Sequence, residues 1–189
     1  QAKNTYGTGC FLLLNVGDKK VIPKSGLILT LACDENGRPC YALEGSIFIA
    51  GAVVQWLRDG LGIVENASQT EEIAISVNDS HGVYMVPAFA GLGAPHWDMY
   101  ARGAILGITR STTRAHIVRA ALEGIAYQVK DLIGAFEESA NAPFADLKVD
   151  GGACMNNFLM QFQADVLGCT IDRSTYIEST GMGAAFLAG

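Results

Sequence analysis

The chain has 189 residues, half of them apolar, so it can bury a substantial core and is unlike a disordered protein. No segment approaches the ~18 uninterrupted apolar residues that a membrane-spanning helix needs. Thirteen basic and nineteen acidic residues give a net charge of −6, and no basic run typical of nucleic-acid binding is visible. We therefore expect a soluble globular protein without nucleic-acid or membrane partners.

The five cysteines and three histidines are scattered along the chain, and no Cys-x-x-Cys pair occurs. This spacing argues against a zinc site and against a disulfide framework, and it favours free thiols in a reducing, cytoplasmic compartment. The sequence begins without methionine and stops inside a predicted helix. We therefore expect a piece of a longer protein, with residues 1–189 forming one domain truncated at both ends.

Apolar runs separated by turn signals predict antiparallel strands in the first third of the chain. These strands are expected at 2–6, 10–16, 26–33 and 39–43. From Ser46 onwards apolar residues recur at helical spacing, which predicts a helix that ends at Gly60. A second helix is expected near Thr70, because a threonine cap followed by two acidic residues is typical of a helix start.

The remaining sequence alternates between strands and helices. A buried strand is predicted at 84–89 and another strand at 104–108, followed by a long helix at 113–140 with a continuous apolar stripe. The last third predicts a strand at 147–149, a helix at 156–167, a strand at 169–172 and a helix from 179. Antiparallel strands first, then alternating strands and helices, predict an α/β fold with one mixed sheet.

Three glycine sites are candidates for ligand binding. At Gly7-Thr8-Gly9, between two predicted strands, small residues would let backbone N–H groups approach a phosphate while the hydroxyl adds a donor. An ordinary tight turn explains this segment as well. Gly51 lies in a predicted helix four residues before Gln55, and a glycine there marks either a close ligand approach or helix packing.

The third candidate is the glycine pair Gly151 and Gly152, which follows a short strand and precedes a helix. A flat ring could lie against this backbone, with the side chain of Asn156 as donor and acceptor. A plain strand-to-helix turn with an asparagine cap remains the alternative. The sequence alone nominates no catalytic triad and no metal site.

The order and spacing of several motifs resemble the C-terminal half of the glycerol kinases, within the FGGY family of carbohydrate kinases. The resemblance covers essentially the whole chain. It rests on NTYGTGCF at 4–11, YALEG at 41–45, QWLRD at 55–59, VPAF at 86–89, GLGAP at 91–95, YARGA at 100–104, VDGGA at 149–153 and NNFLMQFQ at 156–163. The segment 103–123 also fits the second signature of the family, with Gly103, Gly107, His116 and Glu123 in its fixed positions.

The resemblance implies an actin-like, ribonuclease-H-like ATPase domain that forms the nucleotide-binding half of a kinase. The implied reaction is ATP-dependent phosphorylation of glycerol to glycerol 3-phosphate. Thr8 and Gly51 would contact the nucleotide phosphates, with Gln55 nearby. Gly152 and Asn156 would line the adenine and ribose side.

The same resemblance implies that part of the machinery lies outside these residues. In the family, the general-base aspartate and a glycerol-binding glutamine lie shortly before the NTYGTG segment, and an N-terminal domain supplies most glycerol contacts. We therefore expect no catalytic residue here, Mg²⁺ ligands elsewhere, and a homo-oligomeric full-length protein. Two alternatives stay open, a non-catalytic nucleotide-binding or sensor module and a kinase for another polyol or sugar.

Overall fold

The computed structural model describes residues 1–34 and 36–188. A six-stranded sheet forms its centre. The strands are β1 (Ala2–Tyr6), β2 (Cys10–Gly17), β3 (Ile28–Cys33), β4 (Pro39–Ile47), β7 (Asp146–Asp150) and β8 (Thr170–Arg173). In space they follow the order β3-β4-β2-β1-β7-β8. The first four pair antiparallel, and β7 and β8 then add in parallel to β1, which confirms the predicted mixed sheet.

The fourth strand is longer than its sequence pattern suggests. Residues 44–47 continue β4, because Glu44 and Ile47 pair with Leu13 and Cys10 of β2. The helix expected from Ser46 therefore begins later, as α1 (Gly51–Asp59). Its start at a glycine is unfavourable for an isolated helix, so the boundary is set by what Gly51 packs against rather than by local preference.

One face of the sheet is covered by the long helix α3 (Arg114–Ala140). The predicted apolar stripe is buried, and the helix lies so close to β4 that a Cβ on Gly45 would meet Leu132 at 2.5 Å and Phe136 at 3.0 Å. The helix begins after Thr113, whose backbone N–H donates to Nδ1 of His116 at 3.0 Å. The prediction for 113–140 is thus confirmed.

A separate two-stranded sheet consists of β5 (Tyr84–Val86) and β6 (Ala104–Leu106). The expectation of a buried strand at 84–89 is wrong. Only Met85 of β5 is buried, whereas Tyr84 and Val86 are exposed. The reason is that this small sheet packs on α3 with one face only, so its side chains alternate between core and surface.

The other helices are α2 (Gln69–Ile75), α4 (Asn157–Leu167) and α5 (Ser179–Ala188), and a single turn of 3₁₀ helix spans Gly152–Met155. The left-handed Gly168 ends α4, as predicted. Within residues 1–34 and 36–188, no helix combines the length and apolar character required to cross a membrane. The helices α1, α2 and α4 converge on one end of β1 and β7, and this convergence creates the site described next.

Candidate functional site

A cavity of about 500 Å³ lies where α1, α2, α4 and the ends of β1 and β7 meet. All five residues nominated from the sequence line it, namely Thr8, Gly51, Gln55, Gly152 and Asn156. Its volume falls within the range of sites for small molecules and cofactors. Segments far apart in the chain therefore meet at one cavity, whereas the ligand roles of these residues stay a prediction.

One wall of the cavity is the threonine turn, formed by Gly7, Thr8 and Gly9. The N–H of Gly7 donates to the carbonyl oxygen of Gly9 at 2.9 Å, which closes the turn. The carbonyl of Gly7 accepts from the N–H of Gly51 at 2.9 Å, and that of Thr8 accepts from Ala52 at 3.1 Å. These bonds satisfy free donors at the start of α1, which has no side-chain cap.

Gly51 has a packing role in addition to lining the cavity. A Cβ at this position would lie 2.6 Å from the carbonyl oxygen of Gly7, so only glycine lets α1 approach the threonine turn this closely. Because the N–H of Gly51 already donates to Gly7, it is not a free donor for a ligand. Helix packing therefore accounts for the glycine at this position, whereas a close ligand approach to Gly51 stays a prediction.

Thr8 is the exposed member of the threonine turn. Its hydroxyl makes no hydrogen bond within the described part of the chain, whereas its carbonyl is held by the start of α1. The backbone is thus fixed while the side chain remains available to a ligand at the cavity wall. A hydroxyl presented in this way can donate to an anionic oxygen.

The opposite wall is the glycine pair, formed by Gly151 and Gly152, and its two members differ. Gly151 has φ +87°, and a Cβ there would lie 2.5 Å from the backbone oxygen of Tyr6. Gly152 is exposed to the cavity, and a Cβ there would meet nothing within 4 Å. Gly151 is therefore required by the fold, whereas the space in front of Gly152 is open to a ligand.

Asn156 caps α4 and lines the cavity at the same time. Its Oδ1 accepts from the N–H of Leu159 at 2.9 Å, and its Nδ2 donates to Oγ1 of Thr70 at 3.1 Å. The cap interpretation is confirmed, and the lining role coexists with it. Gln55 lies on the exposed face of α1, one turn beyond Gly51.

Asp150, directly before the glycine pair, anchors the end of β7. It is 1% exposed, and its Oδ2 accepts from Nζ of Lys3 at 2.7 Å and from the hydroxyl of Ser179. Burial by itself raises the pKa of this carboxyl. Hydrogen bonds from Lys3, Ser179 and Thr5, together with the charge of Lys3, outweigh burial and hold the pKa below its ordinary value.

The floor of the cavity is apolar, and both of its ends carry polar groups. The floor consists of buried aliphatic side chains, namely Val54, Leu122, Ile125 and Leu159. Arg58 and Glu71 add one charge of each sign to the lining. An apolar middle with hydroxyl, amide and backbone donors at its ends suits a flat ring that carries a polar, anionic chain.

Sequence reasoning missed the contribution of α2 to this site. Thr70 was expected to cap the helix, but the structure places the N-cap at Ser68 and Thr70 inside the helix. Its hydroxyl instead donates to the carbonyl of Ala67 at 2.6 Å and accepts from Asn156. A threonine followed by acids has the same appearance in sequence whether it caps a helix or holds a distant loop.

Comparisons with known proteins show which family the chain belongs to. Residues 2–189 match the C-terminal domain of the FGGY family of carbohydrate kinases. A glycerol kinase 2 of Thermotoga maritima is 62% identical over 99% of this chain, and a glycerol kinase of Francisella tularensis is 61% identical over 100% of it. The chain spans only 38% of the length of each of these relatives.

A solved structure of Plasmodium falciparum glycerol kinase with ADP superposes with a TM-score of 0.89 at 43% identity, covering 98% of this chain and 37% of that one. This likeness confirms the α/β fold of the actin-like ATPases that the resemblance implied. The family match extends over nearly every residue of the chain. The chain belongs to the FGGY family of carbohydrate kinases and carries the C-terminal domain of that family.

Proposed function

We propose that this chain is the nucleotide-binding half of a kinase that transfers a phosphoryl group from ATP to glycerol, giving glycerol 3-phosphate. The observation that carries the proposal is the single cavity lined by Thr8, Gly51, Gln55, Gly152 and Asn156. The solved relative with ADP and the glycerol kinases at 61–62% identity support the same reaction.

In this proposal the phosphates lie against the threonine turn. The hydroxyl of Thr8 donates to a phosphate oxygen, and Gly51 lines the cavity beside it. Gln55 supplies an amide one helical turn further along. Phosphoryl transfer depends mainly on positioning and on stabilising the charge around the transferred group, and a rigid turn with a free hydroxyl suits that task.

The adenine lies at the other end of the cavity. Open space in front of Gly152 allows the ring to lie on the backbone, and the aliphatic floor supplies apolar contact. Asn156 keeps one Nδ2 hydrogen uncommitted after capping α4 and contacting Thr70, so it can donate to the ring or the ribose.

The proposal assigns the general base and the Mg²⁺ ligands to other parts of the full-length protein. Among the residues that the structure describes, no three His, Cys, Asp or Glu side chains lie close enough together to hold a metal by themselves. Relatives more than twice as long support a second, N-terminal domain that faces this cavity.

We further propose that the full-length protein is a cytoplasmic homo-oligomer. The five thiols support a reducing compartment, because none forms a disulfide with another described residue. The exposed apolar side chains of the β5–β6 sheet, including Tyr84, Val86 and Leu106, provide a surface that a second copy could cover. Light scattering of the purified full-length protein measures the oligomeric state directly.

A coupled assay of glycerol-dependent ADP formation by the full-length protein tests the proposed reaction, with calorimetric titration of ATP beside it. We expect turnover with glycerol, and ATP binding that is weaker for residues 1–189 alone. The isolated chain should show no turnover, because general-base assistance contributes roughly 10²–10⁴-fold and we assign the base elsewhere. ATP binding without turnover in the full-length protein would favour a sensor module, and turnover only with another polyol would overturn the assignment of glycerol.

A further inference from the structure

We propose that Thr70 and Glu71 of α2 are positioning residues that hold the adenine-facing wall of the cavity. This inference rests on the proposed function, because it concerns how the same cavity orients ATP. Neither residue needs to touch the nucleotide, since both act through Asn156 and Asn157 at the start of α4.

Glu71 binds the start of α4 through both carboxylate oxygens. Its Oε2 accepts from the backbone N–H of Asn157 at 2.8 Å, and its Oε1 accepts from Nδ2 of the same residue at 2.9 Å. The remaining amide oxygen of Asn157 accepts from Nη2 of Arg173 at 2.9 Å. The first residue of α4 is therefore held on three sides, by residues 86 and 16 positions away in the chain.

Thr70 fixes the orientation of the Asn156 amide. The single hydroxyl proton of Thr70 is donated to the carbonyl of Ala67, so towards Asn156 the hydroxyl can only accept. The N–H of Leu159 can only donate, which assigns Oδ1 of Asn156 to the helix cap and Nδ2 to Thr70. The amide has one orientation, and its second Nδ2 hydrogen is the donor left for the ligand.

The carboxylate of Glu71 also completes the start of α4. A helix start attracts negative charge because its first N–H groups have no partner within the helix and its dipole is positive there. At α4 the Glu71 carboxylate accepts from the N–H of Asn157 and fills this position with a side chain of the protein. The adenine-facing wall is therefore built before a nucleotide binds.

The test measures steady-state kinetics of the full-length protein with varied ATP and saturating glycerol. Thr70→Val and Glu71→Gln each remove one of the contacts, and we expect the KM for ATP to rise about ten-fold, the effect of one lost hydrogen bond. The kcat and the KM for glycerol should change less than about two-fold, because the reacting groups stay in place. Thr70→Ser keeps the hydroxyl and should restore the wild-type KM.

Glu72→Gln is the matched control for Glu71→Gln, because Glu72 is the neighbouring carboxylate on the same helix and its side chain is exposed. We expect this control to leave all constants unchanged. Thermal unfolding without nucleotide reports whether each variant is folded, and Glu71→Gln and Thr70→Val nearly keep the size of the side chain.

The positioning role would be overturned if the wild-type protein turns over glycerol and the folded Thr70→Val and Glu71→Gln variants have the same KM for ATP as the wild type. A fall in kcat with an unchanged KM for ATP would overturn it as well. Absence of glycerol turnover in the wild-type protein would instead contradict the proposed function, so the two failures are distinguishable.

Discussion

The two walls of the cavity are both built on glycines, yet they use them differently. At the first wall, Gly9 of the threonine turn and Gly51 of α1 must be glycines, because neighbouring backbone lies where a Cβ would be. In the glycine pair, Gly151 has the same role towards Tyr6, but nothing lies in front of Gly152. One wall is thus packed tightly against protein, and the other keeps a space that the protein itself does not fill.

This difference separates glycines that the fold requires from Gly152, which under our proposal only the ligand requires. Substitution of the first kind should lower the free energy of unfolding. Substitution of the second kind should leave stability unchanged and reduce ligand binding. The adjacent residues Gly151 and Gly152 allow the two effects to be compared at positions that share almost the same environment.

Gly151→Ala should have the largest effect on stability. The new Cβ would collide with the backbone of Tyr6, and φ +87° is strained for any residue with a side chain. We expect a loss of about 3 kcal/mol in the free energy of unfolding, measured by urea denaturation. Gly152→Ala is the control and should change this free energy by less than about 1 kcal/mol. Equal losses in both variants would contradict the distinction.

Thr8→Ala tests whether the hydroxyl of the threonine turn contacts the nucleotide phosphates. The threonine turn is held by backbone bonds, so removing the hydroxyl should leave the fold intact. In the full-length protein we expect the activation free energy to rise by about 1–3 kcal/mol, which lowers kcat, with the KM for glycerol nearly unchanged. Thr8→Ser should recover most of the rate. An unchanged kcat with a raised KM for glycerol would refute the role of Thr8 at the phosphates.

Asp150→Asn should have a smaller effect on the free energy of unfolding, and this effect should depend on pH. The folded-state pKa of Asp150 is depressed, so its carboxylate stabilises the fold above the unfolded pKa of about 3.9. This contribution is lost as the pH falls through the folded pKa. We expect wild-type protein to exceed Asp150→Asn in unfolding free energy by about 1 kcal/mol at pH 7. The difference should shrink towards pH 3, and a constant difference would contradict the assignment.

Much of the fold could be predicted because local signals and tertiary packing agree. The stripe of α3 and the strands flanked by turn residues have the periods that their elements require. The errors occur where packing overrides local preference. Residues 44–47 extend β4 because β2 pairs with them, and β5 alternates because it covers α3 with one face.

The site was predictable only in part, and for a physical reason. The glycine sites are visible in the sequence, the resemblance implied the roles of the five nominated residues, and all five line one cavity. Thr70 and Glu71 lie in no motif of this kind, because their hydrogen-bond partners are 86 residues away. Nothing in the local sequence distinguishes residues that bind a distant helix from residues that begin their own. Gly151 and Gly152 differ in role because only Gly151 has a positive φ and lies against the backbone of Tyr6. The sequence shows two glycines in a row and cannot reveal this difference.

The placement of the adenine at Gly152 is tested most directly by the KM for ATP of the full-length Gly152→Val variant, measured together with its circular dichroism spectrum. The valine methyls would fill the space in front of the backbone where we place the adenine, while meeting no protein atom at the Cβ position. We predict that the variant has a native spectrum and a KM for ATP raised at least ten-fold. A native spectrum with an unchanged KM would contradict the placement of the adenine, and an unfolded spectrum would show that Gly152 serves the fold.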